Sequence, residues 1–300
     1  MFKGFESSEH LLPSRHVEQV FRIKVLRPLL PAPHSEPLPV VYVTDSDEFY
    51  GGLATLAYEL QLLSETPRFV LVAIGYEDEG ASDLLRMRDL FDHASREHFR
   101  PLIEQLAKSP LGTGLSDPSL IFGTTDAGDF LRFIQEELKP HIEGHYSIKA
   151  TESVLYGYSA GGTFGLYTLL RYPDTFAGGY ILGSPATSRN GDHFGIALAE
   201  ANIERTRGIQ ARVFVSVGEL EELQLGLGEF DFVTGYYRLI KHLRAAAIPG
   251  LSLTTRMFPG ETHATAWTFA FTHGLKTLLR PSGGGFRLFE SQETLGRSDV

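Results

Sequence analysis

Apolar and polar residues alternate over 17–27 (VEQVFRIKVLR), which predicts a half-buried strand, antiparallel and near a sheet edge. After a proline-rich turn over 28–39, the unbroken apolar runs 40–43 and 69–74 read as buried strands. Between them Leu53, Leu56, Ala57, Leu60 and Leu63 recur at helical spacing, so 51–63 reads as an amphipathic helix. The rhythm resumes at residue 127. Helices are expected over 127–141, 163–170, 194–203, 230–247 and 264–279, and strands over 152–156, 177–182, 212–217 and 251–258. Strands and helices that alternate in this way predict an α/β fold, a doubly wound, mostly parallel sheet with helices on both faces. One domain over 1–280 accounts for the pattern, and the Gly- and Ser-rich stretch 281–300 is expected to be a flexible tail. Residues 76–125 break the rhythm with charges, His, Pro and Gly. So long an excursion reads as a lid-like insertion over a site, or else as a surface insertion without a role.

Composition narrows the functional classes. With 42% hydrophobic residues among 300, the chain reads as an ordinary soluble protein, and no apolar run is long enough to span a bilayer. A formal charge of −10 with no basic stripe argues against nucleic acid as a partner. The sequence contains no cysteine, which excludes thiol catalysis and Cys-based zinc sites and suits a reducing compartment. The polar N-terminus lacks the pattern of a signal peptide, so the expectation is a cytoplasmic enzyme with no membrane partner. The oligomeric state is open.

Chemistry enters with Gly157-Tyr-Ser-Ala-Gly161, which is preceded by the apolar strand 152–156 and followed by a helix. A serine on a sharp strand-to-helix turn projects its hydroxyl beyond the sheet, and the helix N-terminus offers N–H groups to a developing oxyanion. Ser159, the cluster Glu219, Glu221 and Glu222, and His263 each follow a predicted strand. All therefore fall at the edge where parallel sheets bind ligands, in the chain order nucleophile, acid, base. Neutral imidazole takes the serine proton near pH 7, and a carboxylate orients the ring. Sequence alone leaves the acid open among the three glutamates. The oxyanion hole is expected to take one N–H from Ala160 and a second from Ser46 or Asp47, after the strand 40–43. Tyr158, Trp267 and Arg88 are candidate substrate contacts; packing is the competing reading for the two aromatics, and a structural ion pair for Arg88.

Cofactor readings fail on spacing. Asp45 and Asp47 lack the glycine and terminal glutamate of a calcium loop. His93, Glu97 and His98 are one residue too long for His-x-x-Glu-His. The glycines of 157–162 lack dinucleotide-loop spacing. No metal or cofactor is expected.

Several segments together resemble the esterase family of α/β-hydrolases that includes siderophore (enterobactin-type) esterases, feruloyl-type esterases and the antigen 85 acyltransferases. They are Pro39-Val-Val-Tyr-Val-Thr-Asp45, Arg88-Asp-Leu90, Phe130-Leu-Arg-Phe-Ile-Gln-Glu-Glu-Leu-Lys-Pro140, Gly157-Tyr-Ser-Ala-Gly-Gly162, Tyr172-Pro-Asp-Thr-Phe176, Ser184-Pro185, Val217-Gly-Glu-Leu-Glu221 and Gly260-Glu-Thr-His263. The resemblance runs from about residue 15 to 280. It implies Glu221 as the acid, three residues after the glycine that closes its strand, and Asp47 as the second oxyanion donor. Ser46 stands where the family often has glycine, and Ala186-Thr-Ser188 where it often has Ser-Leu-Trp-Trp. The leading expectation is a serine carboxylic-ester hydrolase acting on a small-molecule ester through an acyl-enzyme. The alternatives are an acyltransferase with the same triad and a non-catalytic hydrolase-fold binding protein.

Overall fold

A computed structural model describes residues 2–29, 36–108, 121–202, 208–224 and 227–279. Its strands are β1 (Phe5–Pro13), β2 (Val20–Pro28), β3 (Leu38–Val43), β4 (Val70–Tyr76), β5 (Ile148–Tyr158), β6 (Gly179–Gly183), β7 (Ala211–Gly218) and β8 (Leu251–Phe258). They form one sheet in the order β1-β2-β4-β3-β5-β6-β7-β8. The first two strands are antiparallel, and every pairing from β4 to β8 is parallel. The expected α/β sheet is therefore present, and its edge differs from expectation. The alternating segment 17–27 becomes β2, one strand in from the edge, because residues 5–13 pair with it along their whole length. β1 buries only Phe5, so its sequence carries almost no apolar alternation.

The helices are α1 (Ser46–Leu62), α2 (Ser82–Asp89), α3 (His93–Ala107), α4 (Ala127–Phe133), α5 (Lys139–His145), α6 (Ala160–Arg171), α7 (Phe194–Ala201), α8 (Phe232–Ala245) and α9 (Ala266–Leu278). A π-helical turn, Ile134–Leu138, joins α4 to α5, so the helix expected over 127–141 runs on to His145. The stretch 281–300 lies outside the described residues. None of the described helices is long and apolar enough to cross a membrane.

Strand geometry divides the core into two layers. In β3, Val40 and Tyr42 join the layer built with Phe130, Phe164 and Leu239, whereas Val41 and Val43 join Leu53, Ala57 and Phe271 on the other face. This is the period-two alternation of a strand buried on both sides. Each such side chain contributes about 1.5–3 kcal/mol when buried. The two layers fix the strands in register, and the loops after β3, β5, β6, β7 and β8 gather at one edge.

Candidate active site

Ser159 sits between β5 and α6 with φ 55° and ψ −116°, a conformation that costs a non-glycine residue energy. Its backbone is held by its N–H donating to Gly183 O (2.9 Å) and by Thr163 N–H donating to its carbonyl (3.0 Å). The neighbouring glycines are sterically required. A Cβ on Gly157 would collide with the Gly161 carbonyl, and one on Gly161 would collide with Thr44 Oγ1 and Asp45. Ala160 opens α6, so its N–H belongs to the first turn, where helix donors have no intrahelical partner.

The loop after β7 separates the three glutamates. Glu219 accepts from Gly260 N–H (2.9 Å), and Glu222 accepts from the Thr234 N–H and hydroxyl. Glu221 turns inward and is fully buried. Its Oε2 lies 2.8 Å from His263 Nδ1, while Oε1 accepts from Gly218 N–H and Ser184 Oγ, each at 2.6 Å. With Nδ1 paired to a carboxylate, the ring proton sits on Nδ1 and Nε2 carries the lone pair. The backbone of His263 is anchored as well: its N–H donates to Gln224 Oε1 (3.0 Å), and its carbonyl accepts from Tyr158 OH (2.8 Å). Two aromatic rings lie against the imidazole, Phe232 at 4.5 Å and Tyr158 at 4.9 Å between centroids.

The loop after β3 turns through Asp45, whose φ of 59° starts α1 at Ser46. Arg86 of α2 forks onto both Asp45 oxygens, at 2.8 and 3.0 Å, and so ties the 76–125 excursion to this turn. Asp47 lies in the first turn of α1, and its side chain accepts from Tyr76 N–H (2.8 Å). What it would offer to an oxyanion is its backbone N–H.

Ser159, Ala160 and His263 line one cavity of about 440 Å³. Its apolar wall includes Met87, Phe91, Phe99 and Leu102 from α2, α3 and the turn between them, and Phe230 and Phe232 across from them. Tyr158 also lines it. The structure does not bring Trp267 or Arg88 to this cavity. Trp267 packs on Phe49 (5.2 Å between centroids) and donates to Ala264 O. Arg88 forks onto the fully buried Asp89, which also accepts from Tyr76 OH. Two residues along a helix turn through about 200°, so Arg86 and Arg88 point apart, and it is Arg86 that lines the cavity. Sequence reasoning also missed Ser184, Gln224, Phe232 and Glu48. Ser184 carried a signal, since it follows β6 at the same edge as the other loops.

A mostly parallel sheet that carries a serine elbow after β5, a buried acid after β7 and a histidine after β8 defines an α/β-hydrolase fold. The family model described as "Putative esterase" matches residues 123–278, just over half of the chain. The chain belongs to that family and is a carboxylic-ester hydrolase. It is 26% identical over 286 residues to the ferri-bacillibactin esterase BesA of Bacillus subtilis (strain 168), a match covering 91% of this chain and 89% of that protein. The crystal structure of the BES protein from Bacillus cereus superposes with a TM-score of 0.71 at 24% identity, covering 93% of this chain and 95% of the other. The siderophore hydrolase EstB from Aspergillus nidulans superposes with a TM-score of 0.70 at 21% identity, covering 93% and 96%.

Proposed function

We propose that the protein cleaves its ester through a Ser159–His263–Glu221 triad and an acyl-enzyme. Ser159 Oγ attacks the carbonyl carbon while His263 Nε2 takes its proton, and Glu221 holds the ring and stabilises the imidazolium. The oxyanion is bound by the N–H groups of Ala160 and Asp47. His263 returns the proton to the leaving alcohol, and a water activated by the same nitrogen releases the acid. The described part of the 76–125 excursion serves as a lid and carries one side of the apolar wall, with Met87, Phe91, Phe99 and Leu102. The relative named for ferri-bacillibactin makes siderophore esters the first substrates to assay.

The observation that carries this reading is the 2.8 Å contact between His263 and a buried carboxylate, next to a strained serine elbow. Ser159→Ala and His263→Ala, assayed on a short-chain aryl ester and on siderophore esters, are each expected to lose about 10³-fold or more in kcat. Undiminished turnover in both variants would remove the proposal.

A further inference from the structure

Glu221 meets the edge of the His263 ring at Nδ1 (2.8 Å), and Phe232 lies against the face of that ring. The two rings stack with centroids 4.5 Å apart and planes 29° from parallel. Phe232 is 3% exposed and lines the same cavity as Ser159 and His263. Its place is set by the turn that starts α8. Asp231 adopts φ 46° and ψ 38°, a left-handed conformation that costs a non-glycine residue energy. Its Oδ2 accepts from Gly191 N–H (2.6 Å) and Ser188 Oγ (3.2 Å), and its carbonyl accepts from Gly235 N–H (2.6 Å). The turn is thereby tied to the loop after β6. Behind Phe232 stacks Phe230, at 5.5 Å and 27°, and Phe99 of α3 stacks on Phe230 at 5.8 Å and 19°. A row of rings therefore runs from the 76–125 excursion to the imidazole.

The face of an aromatic ring carries partial negative charge and attracts a cation that lies against it. A neutral imidazole gains mainly packing from such a contact. An imidazolium gains the electrostatic attraction as well, so the interaction strengthens when the ring takes up the serine proton.

We propose that Phe232 is a positioning residue for the ester cleavage, whose ring face holds the plane of His263 and stabilises the imidazolium that forms on it. The inference rests on the reading of Ser159, His263 and Glu221 as a triad. As Ser159 Oγ bonds to the carbonyl carbon, its O–H bond breaks and the proton goes to His263 Nε2. The carbonyl electron pair moves to the oxygen, and positive charge spreads over the imidazole. That charge then lies between the Glu221 carboxylate at the ring edge and the Phe232 ring at its face. The same charge forms again when water attacks the acyl-enzyme, so the effect falls on kcat. Phe232 has no hydrogen-bonding group in its side chain, and its packing and its quadrupole are separable by experiment.

Ring fluorines withdraw electron density from the face with little change in size. Para-fluoro-, difluoro- and trifluorophenylalanine in place of Phe232 are expected to lower kcat on p-nitrophenyl butyrate stepwise, by about three- to tenfold over the series. KM and the urea midpoint should stay unchanged. The rate of fluorophosphonate labelling of Ser159, which needs the same proton transfer without ester binding, should fall in the same proportion. Phe232→Leu, which removes the quadrupole and part of the packing, should lose at least as much in kcat. A kcat or labelling rate that stays level along the fluorine series, a loss confined to KM or to the urea midpoint, or a wild-type kcat in Phe232→Leu overturns the inference. If Ser159→Ala and His263→Ala each abolish hydrolysis in that case, only the role of Phe232 falls. If both variants keep full turnover, the triad reading falls, and the inference with it.

Discussion

His263 Nδ1 lies 2.8 Å from Oε2 of Glu221, and the other carboxylate oxygen is held by Gly218 N–H and Ser184 Oγ at 2.6 Å each. The Glu221 carboxylate is therefore held from two sides as well as by the imidazole. In the proposed triad, a ring so oriented keeps its proton on Nδ1 and offers Nε2 to the Ser159 hydroxyl.

Single Glu→Gln changes separate the three glutamates after β7. Glu221→Gln is expected to lower kcat/KM by about 10³–10⁴-fold, because an amide stabilises the wrong imidazole tautomer. Glu219→Gln and Glu222→Gln, whose carboxylates accept from Gly260 and Thr234, should stay within about threefold. Steady-state kinetics on one aryl ester decides the assignment.

Ser184→Ala removes one of the two donors that hold Glu221. Leaving a buried carboxylate oxygen short of a donor costs about 1–3 kcal/mol, so the urea midpoint should fall. With the acid less firmly placed, kcat should fall about tenfold while KM changes little.

The Arg86–Asp45 pair joins α2 to the turn that begins α1. Removing one member of a buried pair costs about 3–5 kcal/mol, because the other is left charged and unpartnered. Arg86→Met is therefore expected to be strongly destabilising in chemical denaturation. The double variant Asp45→Asn with Arg86→Met should recover part of the loss, since no lone charge remains.

Lys139 supplies a pH signature independent of the active site. Burial lowers its ammonium from 10.5 to about 8, against the opposing pull of Glu143, and it sits over the rings of Phe176 (4.6 Å) and Tyr42 (5.7 Å). The unfolded chain holds this proton more tightly than the folded one. The group's contribution to stability therefore rises as pH climbs from about 8 through 10.5, where both states have lost the proton. In Lys139→Met that slope should vanish from the unfolding free energy measured across pH 7–11. At pH 7 the relief of the charged, buried amine amounts to at most about 3 kcal/mol. The hydrogen bonds that the ammonium gives to Ser153 Oγ and Thr175 O disappear in the variant and reduce that gain.

The sheet was largely legible in the sequence because buried parallel strands are apolar throughout and are separated by helices of clear period. β1 was not, since an edge strand that buries only Phe5 has no alternation to read. α1 starts at Ser46, five residues before the helix expected from residue 51, because it opens on the polar residues Ser46, Asp47 and Glu48. At the candidate site, the strand-to-helix turn that holds Ser159 was legible from its glycines, which the close approach of Gly161 to Thr44 and Asp45 requires. The position of His263 at the same edge was legible from its place after the last strand. Which of the three glutamates turns inward was not legible, because it depends on how a short 3-10 turn, Glu221–Leu223, rotates each side chain. Arg86 was not legible as a cavity-lining residue, because the sequence does not give the rotational phase of α2, and Arg88 takes up the ion pair with Asp89 that competed with its reading as a substrate contact. Gln224 and Phe232 act on His263 across loops whose paths have no periodic signature.

The most direct test of the proposed triad is the mass of the intact protein after reaction with a fluorophosphonate, with the adduct mapped by peptide sequencing. The expected result is a single adduct on Ser159 that is abolished in Ser159→Ala and strongly slowed in His263→Ala and Glu221→Gln. Labelling at another serine, or an unmodified protein that retains full ester hydrolysis, would contradict the account.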